Sequence, residues 1–218
     1  MTTSEAQDIQ SRLASRVVVA DRLPGEILTI GGVDVAYDEN SSNLVGAIAV
    51  LDARTLETIA SAVAEGPIDF PYIPGLFSFR ELPALARVLD QLPDLPDIII
   101  CDGHGIAHPR RFGLASHLGV AYDVAAIGCA KTLLVGDAGE PATWRGASAP
   151  LKIGSEVVGA VLRTQNNVKP VYVSSGHRIS LESACDWVLR TSPRFRISEP
   201  VRSANKLVND RRAILRRA

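Results

Sequence analysis

Cysteine is scarce: three in 218 residues, an odd number that does not make a disulfide framework. Long apolar runs are missing as well, since none approaches the ~18–20 residues of a membrane span. Residues 1–10 are polar and acidic, so no signal peptide is expected. Net charge is almost absent, at -1, which argues against a protein that coats nucleic acid by bulk electrostatics but leaves room for a local basic face. Lysine occurs only at Lys131, Lys152, Lys169 and Lys206, so nineteen of the 23 basic residues are arginine. The guanidinium fork suits phosphate oxygens; a codon bias that enriches arginine and alanine together is the plainer account of the excess. With 46% hydrophobic and 22% charged residues the chain is not disordered. Its length suits one domain, residues 1–218, with a full core. A soluble, cytoplasmic globular protein is the expectation.

Ile9, Leu13, Val17 and Val18 recur at helical spacing and predict an amphipathic helix over 7–21. Residues 27–37 are apolar and β-branched, with Gly31 and Gly32 where a bulge would sit. Strands over 44–52 and 56–65 follow after the short polar turns 39–43 and 53–55, an antiparallel meander. A proline-bracketed loop, 66–75, precedes a helix over 78–91 in which Ser78 reads as N-cap and Glu81 closes a capping box. Residues 97–101 (DIIIC) form a short strand buried on both faces. A glycine-rich loop, 103–113, leads to a helix at 114–118 and a strand at 125–129. Then come a polar insertion (136–149), strands at 156–163 and 171–174, and a helix at 180–190. The tail from 201 carries six basic residues and one acid, Asp210; it either adds a sequence-blind electrostatic footprint or is a solvated surface helix. The order predicts an α/β fold: a mixed sheet flanked by helices, as in ribonuclease H-like nucleases, a likeness of fold alone.

Asp34 stands between Val33 and Val35 in an apolar strand, where a carboxylate needs a partner or a metal. Asp102 follows Ile98-Ile99-Ile100-Cys101 at the end of its strand, the edge where ligands collect in open α/β sheets. Glu81 opens the helix between them. If the first and fourth strands lie side by side, the three carboxylates converge, and such an oxygen set suits Mg²⁺. Singly, each has a plainer account: Asp34 solvated, Asp102 capping a turn, Glu81 in its capping box.

The run from Gly103 to Arg111 (GHGIAHPRR) adds glycines that permit close backbone approach. His108 could orient or deprotonate a water or contact phosphate, and Arg110 and Arg111 could hold phosphate oxygens. His104 reads better as satisfying a loop carbonyl. Lys131, at a strand end on the same edge, fits a phosphate contact or a stabiliser of transition-state charge. In Pro71-Tyr72-Ile73-Pro74-Gly75 two prolines stiffen a loop that presents an aromatic ring. Such a wedge can enter a base stack; a loop tip packed on its own domain is the alternative.

Together these segments resemble the endonuclease V family. Its hallmarks occur in order as GGVDVAY around Asp34, PYIPG with the FRE ending at Glu81, DGHGIAHPRRFGLASHLGV from Asp102, GCAKTLLVG around Lys131, GHRIS at His177 and EPVR. The resemblance runs from Asp34 to Arg202. It implies a ribonuclease H-like fold and Mg²⁺-dependent hydrolysis, with Mn²⁺ able to substitute. The reaction it implies is a cut in DNA containing deoxyinosine or other deaminated bases, at the second phosphodiester bond 3′ to the lesion, leaving 3′-hydroxyl and 5′-phosphate ends. Inosine-containing RNA is a second candidate substrate, and a monomer is expected. Carried over by position, Asp34 and Asp102 are metal ligands, Glu81 supports the metal and its water, and His108 and Lys131 assist at the scissile phosphate. Tyr72 is the wedge, beside Pro74; Gly75 and Gly103 let backbone groups read the flipped base. Hypoxanthine lacks guanine's exocyclic amine, so a tight glycine-lined pocket can accept it and exclude guanine. Relatives carry aspartate or histidine near the position of Asn205; metal affinity or preference is therefore expected to differ here, with activity kept.

Two rivals differ in class. A cysteine hydrolase with Cys101 as nucleophile and His104 or His177 as base needs an exposed, low-pKa thiol, whereas Cys101 extends an isoleucine run. A recognition module that binds inosine strands without cutting has no use for clustered carboxylates, which repel phosphate unless a cation bridges them.

Overall fold

The structure, a computed structural model, describes residues 1–37 and 43–216; the expected turn at 39–43 lies outside these residues except for Asn43. In chain order the elements are α1 (Thr3–Ala14), β1 (Thr29–Tyr37), β2 (Asn43–Asp52), β3 (Thr58–Pro67), α2 (Phe77–Leu89), β4 (Ile98–Cys101), α3 (Leu114–Tyr122), β5 (Ala125–Ala130), β6 (Asp137–Ala138), β7 (Ser148–Ile153), β8 (Glu156–Leu162), β9 (Val171–His177), α4 (Leu181–Arg190) and α5 (Glu199–Leu215). The strands form one sheet in the order β3-β2-β1-β4-β5-β9-β8-β7-β6. The pairs β1–β4 and β4–β5 are parallel, and the expected meander occupies one side of them.

The isoleucine run of β4 is buried on both faces because each face is covered. Ile98 and Ile100 pack with Ile30, Val188 of α4 and Val201 of α5, while Ile99 and Cys101 pack with Leu85 of α2 and Leu118 of α3. Burial of such a side chain contributes about 1.5–3 kcal/mol.

Several sequence expectations are corrected. No bulge occurs at Gly31 and Gly32: β1 and β2 pair without interruption from Thr29↔Asp52 to Tyr37↔Leu44. Gly32 serves close packing, since a Cβ there would stand 2.0 Å from the Pro200 carbonyl carbon. The basic tail is neither free nor wholly solvated. It is α5, seated on β1 and β2 through Pro200, Val201, Ala204 and Val208. The opening helix starts earlier because Thr2 and Glu5 form a capping box, and it ends at Ala14, after which Val18 accepts a hydrogen bond from the Arg178 amide at 2.6 Å. The capping box at Ser78 does not form. Helix α2 starts at Phe77 with Leu76 at its N-cap, because Leu76 and Phe79 are drawn into an apolar cluster with Ala6 and Phe70. Ser78 instead lies buried, 3.1 Å from His117 Nδ1. The polar insertion at 136–149 holds β6 and the start of β7; Pro150 within β7 disguised that strand. Among the described residues no helix is long and apolar enough to cross a membrane.

Candidate active site

The parallel register Val33↔Cys101 makes Asp34 and Asp102 the next residues out from a shared edge. Both line a cleft of about 500 Å³ with Glu81, Lys131, Tyr72 and Gly103. Each acid has a partner. The Asn205 amide donates to Asp34 Oδ2 at 2.8 Å, the Tyr37 hydroxyl donates to Glu81 Oε1 at 3.0 Å, and the Lys131 ammonium donates to Asp102 Oδ2. Glu81 is 5% exposed. Burial pushes its carboxyl well above the usual carboxylate range; the Tyr37 bond opposes this, and the Asp34 and Asp102 charges add to it. Asp34 is raised by burial too, with Asn205 offsetting part. Burial would lower Lys131, but the contact with Asp102 outweighs it and the ammonium is held above its ordinary pKa.

The donors are all oxygens. As placed, no three His, Cys, Asp or Glu side chains among the described residues are grouped tightly enough to hold a metal; Lys131 and Asn205 take up part of the charge. The set still fits a hard divalent cation: Asp34 and Glu81 are acids whose ionisation is opposed by burial and by neighbouring carboxylates, a burden such a cation relieves.

The facing rim is the loop bearing Tyr72, which is 68% exposed and meets Phe77 edge-on with ring centroids 6.1 Å apart. Its anchor is the carbonyl of Gly75, a residue at φ +77°. That oxygen accepts from Gln10 Nε2 at 3.0 Å, His108 Nε2 at 3.0 Å and Arg110 Nη2 at 2.8 Å. The Arg110 amide donates to His108 Nδ1 at 3.2 Å, so both His108 nitrogens are engaged. Burial and then the Arg110 charge lower His108 to about 4, which leaves it neutral. His108 therefore has no ring nitrogen free for water or phosphate in this arrangement. Arg110 Nε also donates to Gln10 Oε1 at 2.5 Å. Arg111 pairs with Glu156 at 2.6 Å. Neither arginine lines the cleft, in contrast to the expected phosphate contacts. Pro74 and Gly75 do line it.

His104 Nε2 meets the Thr132 carbonyl at 3.1 Å, the loop-satisfying arrangement expected of it. Cys101 is fully buried and its thiol pushed up by burial, which removes the cysteine hydrolase reading. Sequence reasoning missed Gln10, Tyr37 and the cleft residues Leu133 and Leu134. Tyr37 stood in the GGVDVAY motif, but its use depends on where α2 lies; Gln10 carried no signal.

Three acids and a lysine at the edge of a mixed sheet, with helices on both faces, define a ribonuclease H-like nuclease. The family model described as Endonuclease V matches residues 11–206. The Endonuclease V of Nocardia farcinica is 48% identical over 217 residues, covering 100% of this chain and 94% of its own. The crystal structure of Endonuclease V from Streptomyces avermitilis superposes with a TM-score of 0.92 at 46% identity, over 99% of this chain and 94% of that one. An Endonuclease V variant from Ciona intestinalis, crystallised with a 23mer DNA containing an inosine followed by a ribo-adenosine, gives a TM-score of 0.87 at 25% identity over 99% and 100% of the two chains. The chain belongs to the Endonuclease V family and is an endonuclease.

Proposed function

We propose that this endonuclease acts in DNA repair, recognising hypoxanthine and related deaminated bases and hydrolysing the second phosphodiester bond 3′ to them, with 3′-hydroxyl and 5′-phosphate ends. The observation that carries the reading is the cleft itself, with Asp34, Glu81 and Asp102 on one side and the exposed Tyr72 on the other. The Ciona intestinalis relative bound to inosine-containing DNA supports the substrate, and its ribo-adenosine makes RNA the second strand to test.

Asp34 and Asp102, supported by Glu81, would hold Mg²⁺, for which Mn²⁺ can substitute. When bound, such an ion polarises the phosphoryl oxygen and acidifies water. Lys131 balances Asp102 and offers an ammonium to charge developing at the phosphate. Asn205 orients Asp34, and Tyr37 orients Glu81. Tyr72, stiffened by Pro71 and Pro74, fills the gap left when the base turns out of its stack. The extruded base lies against Gly75 and Gly103. His108 and Arg110 act on it indirectly, by fixing the Gly75 carbonyl; Arg111 holds its own loop, 103–113, to β8 through Glu156. The cleft lies over one continuous sheet, which supports residues 1–218 working as a single catalytic domain, proposed to act as a monomer.

The test is cleavage of end-labelled strands bearing one inosine, as DNA and as RNA, with Mg²⁺ and with EDTA. A metal-dependent cut one nucleotide beyond the lesion's 3′ neighbour is expected. Lesion binding with no cut on either strand overturns the reading.

A further inference from the structure

The GHRIS segment contributes nothing to the cleft described above. Its His177 pairs with Ala126, at the start of β5, whereas Lys131 follows the end of that strand. Five residues of strand, roughly 17 Å, separate the two. At this far end lies a second cavity of about 340 Å³, lined by Arg16, Arg22, Arg178, His177 and Asp123.

The cavity is built rather than incidental. The Arg178 amide donates to the Val18 carbonyl at 2.6 Å and the Arg22 amide to the Arg178 carbonyl at 2.9 Å. Ser180 donates through its amide to Asp21 Oδ1 at 2.8 Å. The Val18 amide donates to His177 Nδ1 at 3.2 Å, and the ring's other nitrogen lies 3.3 Å from Asp123 Oδ1. Two non-glycine residues on its wall are left-handed, Arg178 at φ +55° and Asp123 at φ +51°, each a cost of order 1–3 kcal/mol that the surroundings must hold in place.

Its charge is one-sided. The single acid, Asp123, is met by Arg178 Nη1 at 2.5 Å and by His177. The guanidinium groups of Arg16 and Arg22 have no hydrogen-bond or ion-pair partner among the described residues. Two exposed guanidinium groups without a protein partner thus line a preformed concavity with a third, Arg178, and the guanidinium fork matches a tetrahedral oxyanion.

We propose that this cavity is a phosphate-binding site, separate from the catalytic cleft, in which Arg16 and Arg22 supply the binding charge and Arg178 the rigid wall. The phosphate can come from a nucleic-acid backbone passing the far edge or from the free anion. The proposal does not depend on the base-repair reading.

The test uses the full chain in EDTA, with inorganic phosphate as the first probe and an inosine-free single-stranded oligonucleotide at fixed salt as the second. Phosphate is expected to bind saturably, by thermal shift and by titration calorimetry. In Arg16→Gln/Arg22→Gln its half-saturating concentration is expected to rise at least about fivefold, with the melting temperature in phosphate-free buffer unchanged and turnover on a saturating inosine strand, assayed separately with Mg²⁺, also unchanged. Arg16→Lys/Arg22→Lys, which keeps the charge, is expected to retain most of the binding. A parallel loss of oligonucleotide affinity assigns the phosphate to the strand backbone; unchanged oligonucleotide affinity assigns it to the free anion. No saturable phosphate binding in the unaltered protein, or an unchanged response in the Gln variant, overturns the proposal.

Discussion

The two rims of the catalytic cleft are held by different means. The acidic rim is set by strand register: Asp34 and Asp102 step off neighbouring parallel strands, and each is positioned within a residue or two of a buried apolar run. The opposite rim, with Tyr72 at its tip, hangs on one carbonyl oxygen, that of Gly75, gripped by Gln10, His108 and Arg110 from 65, 33 and 35 residues away. On the proposed function, chemistry is tied to the sheet and recognition to a loop held by a polar network. The two functions can therefore be damaged separately.

The largest separation is expected from the acidic rim. Asp34→Ala or Asp102→Ala should lower the cleavage rate by about a thousandfold or more while inosine-strand binding, read by fluorescence anisotropy, stays within a few-fold. Equal loss of both at saturating Mg²⁺ would remove the distinction between the rims. Acid should act on the other side. Burial lowers His108 and His117 to about 4, against about 6.5 for a free imidazole. The folded state therefore binds fewer protons than the unfolded one in this range. Stability is fully present above about pH 6.5 and is lost as pH falls toward 4, by of order 2–3 kcal/mol for each ring. Urea denaturation across that window checks this; a flat profile contradicts neutral buried rings.

Gln10→Ala strips one donor each from the Gly75 and Phe112 carbonyls and should cost about 2 kcal/mol. Its signature is a higher KM with little change in kcat, and an unchanged KM would detach Gln10 from the rim. Tyr72→Ala should leave hydrolysis intact and reduce preference for inosine over guanine strands about tenfold, near the low end of base–aromatic stacking; retained preference would exclude the wedge. The smallest effect belongs to Cys101→Ser, where cleavage should be unchanged within about twofold, because the thiol is buried among apolar neighbours.

The same contrast explains what could be read from sequence. The meander, the both-faces-buried strand DIIIC and the side-by-side placing of β1 and β4 follow from local patterns, and the structure has them; the three carboxylates line one cleft, although as placed they are not grouped tightly enough to hold a metal among the described residues. The Gly75 anchor was illegible, because a buried glutamine on α1 looks like any other polar residue near the start of a chain. Ser78 and Glu81 spelled a capping box, yet burial of Leu76 and Phe79 outbid it, freeing Glu81 for the cleft. Likewise Arg110 and Arg111 suggest phosphate contacts by composition, and only tertiary structure reveals that their guanidinium groups are spent on Gly75, Gln10 and Glu156.

Helix α5 has a consequence in time as well as in space. It covers Gly32 and delivers Asn205 to Asp34, a partner 171 residues along the chain. A nascent chain emerging from the ribosome has all three carboxylates well before this helix, so β1 keeps an uncovered face, and Asp34 lacks its Asn205 partner, until α5 has been made. A copy made only as far as Arg190 therefore lacks both the cover of Gly32 and the partner of Asp34.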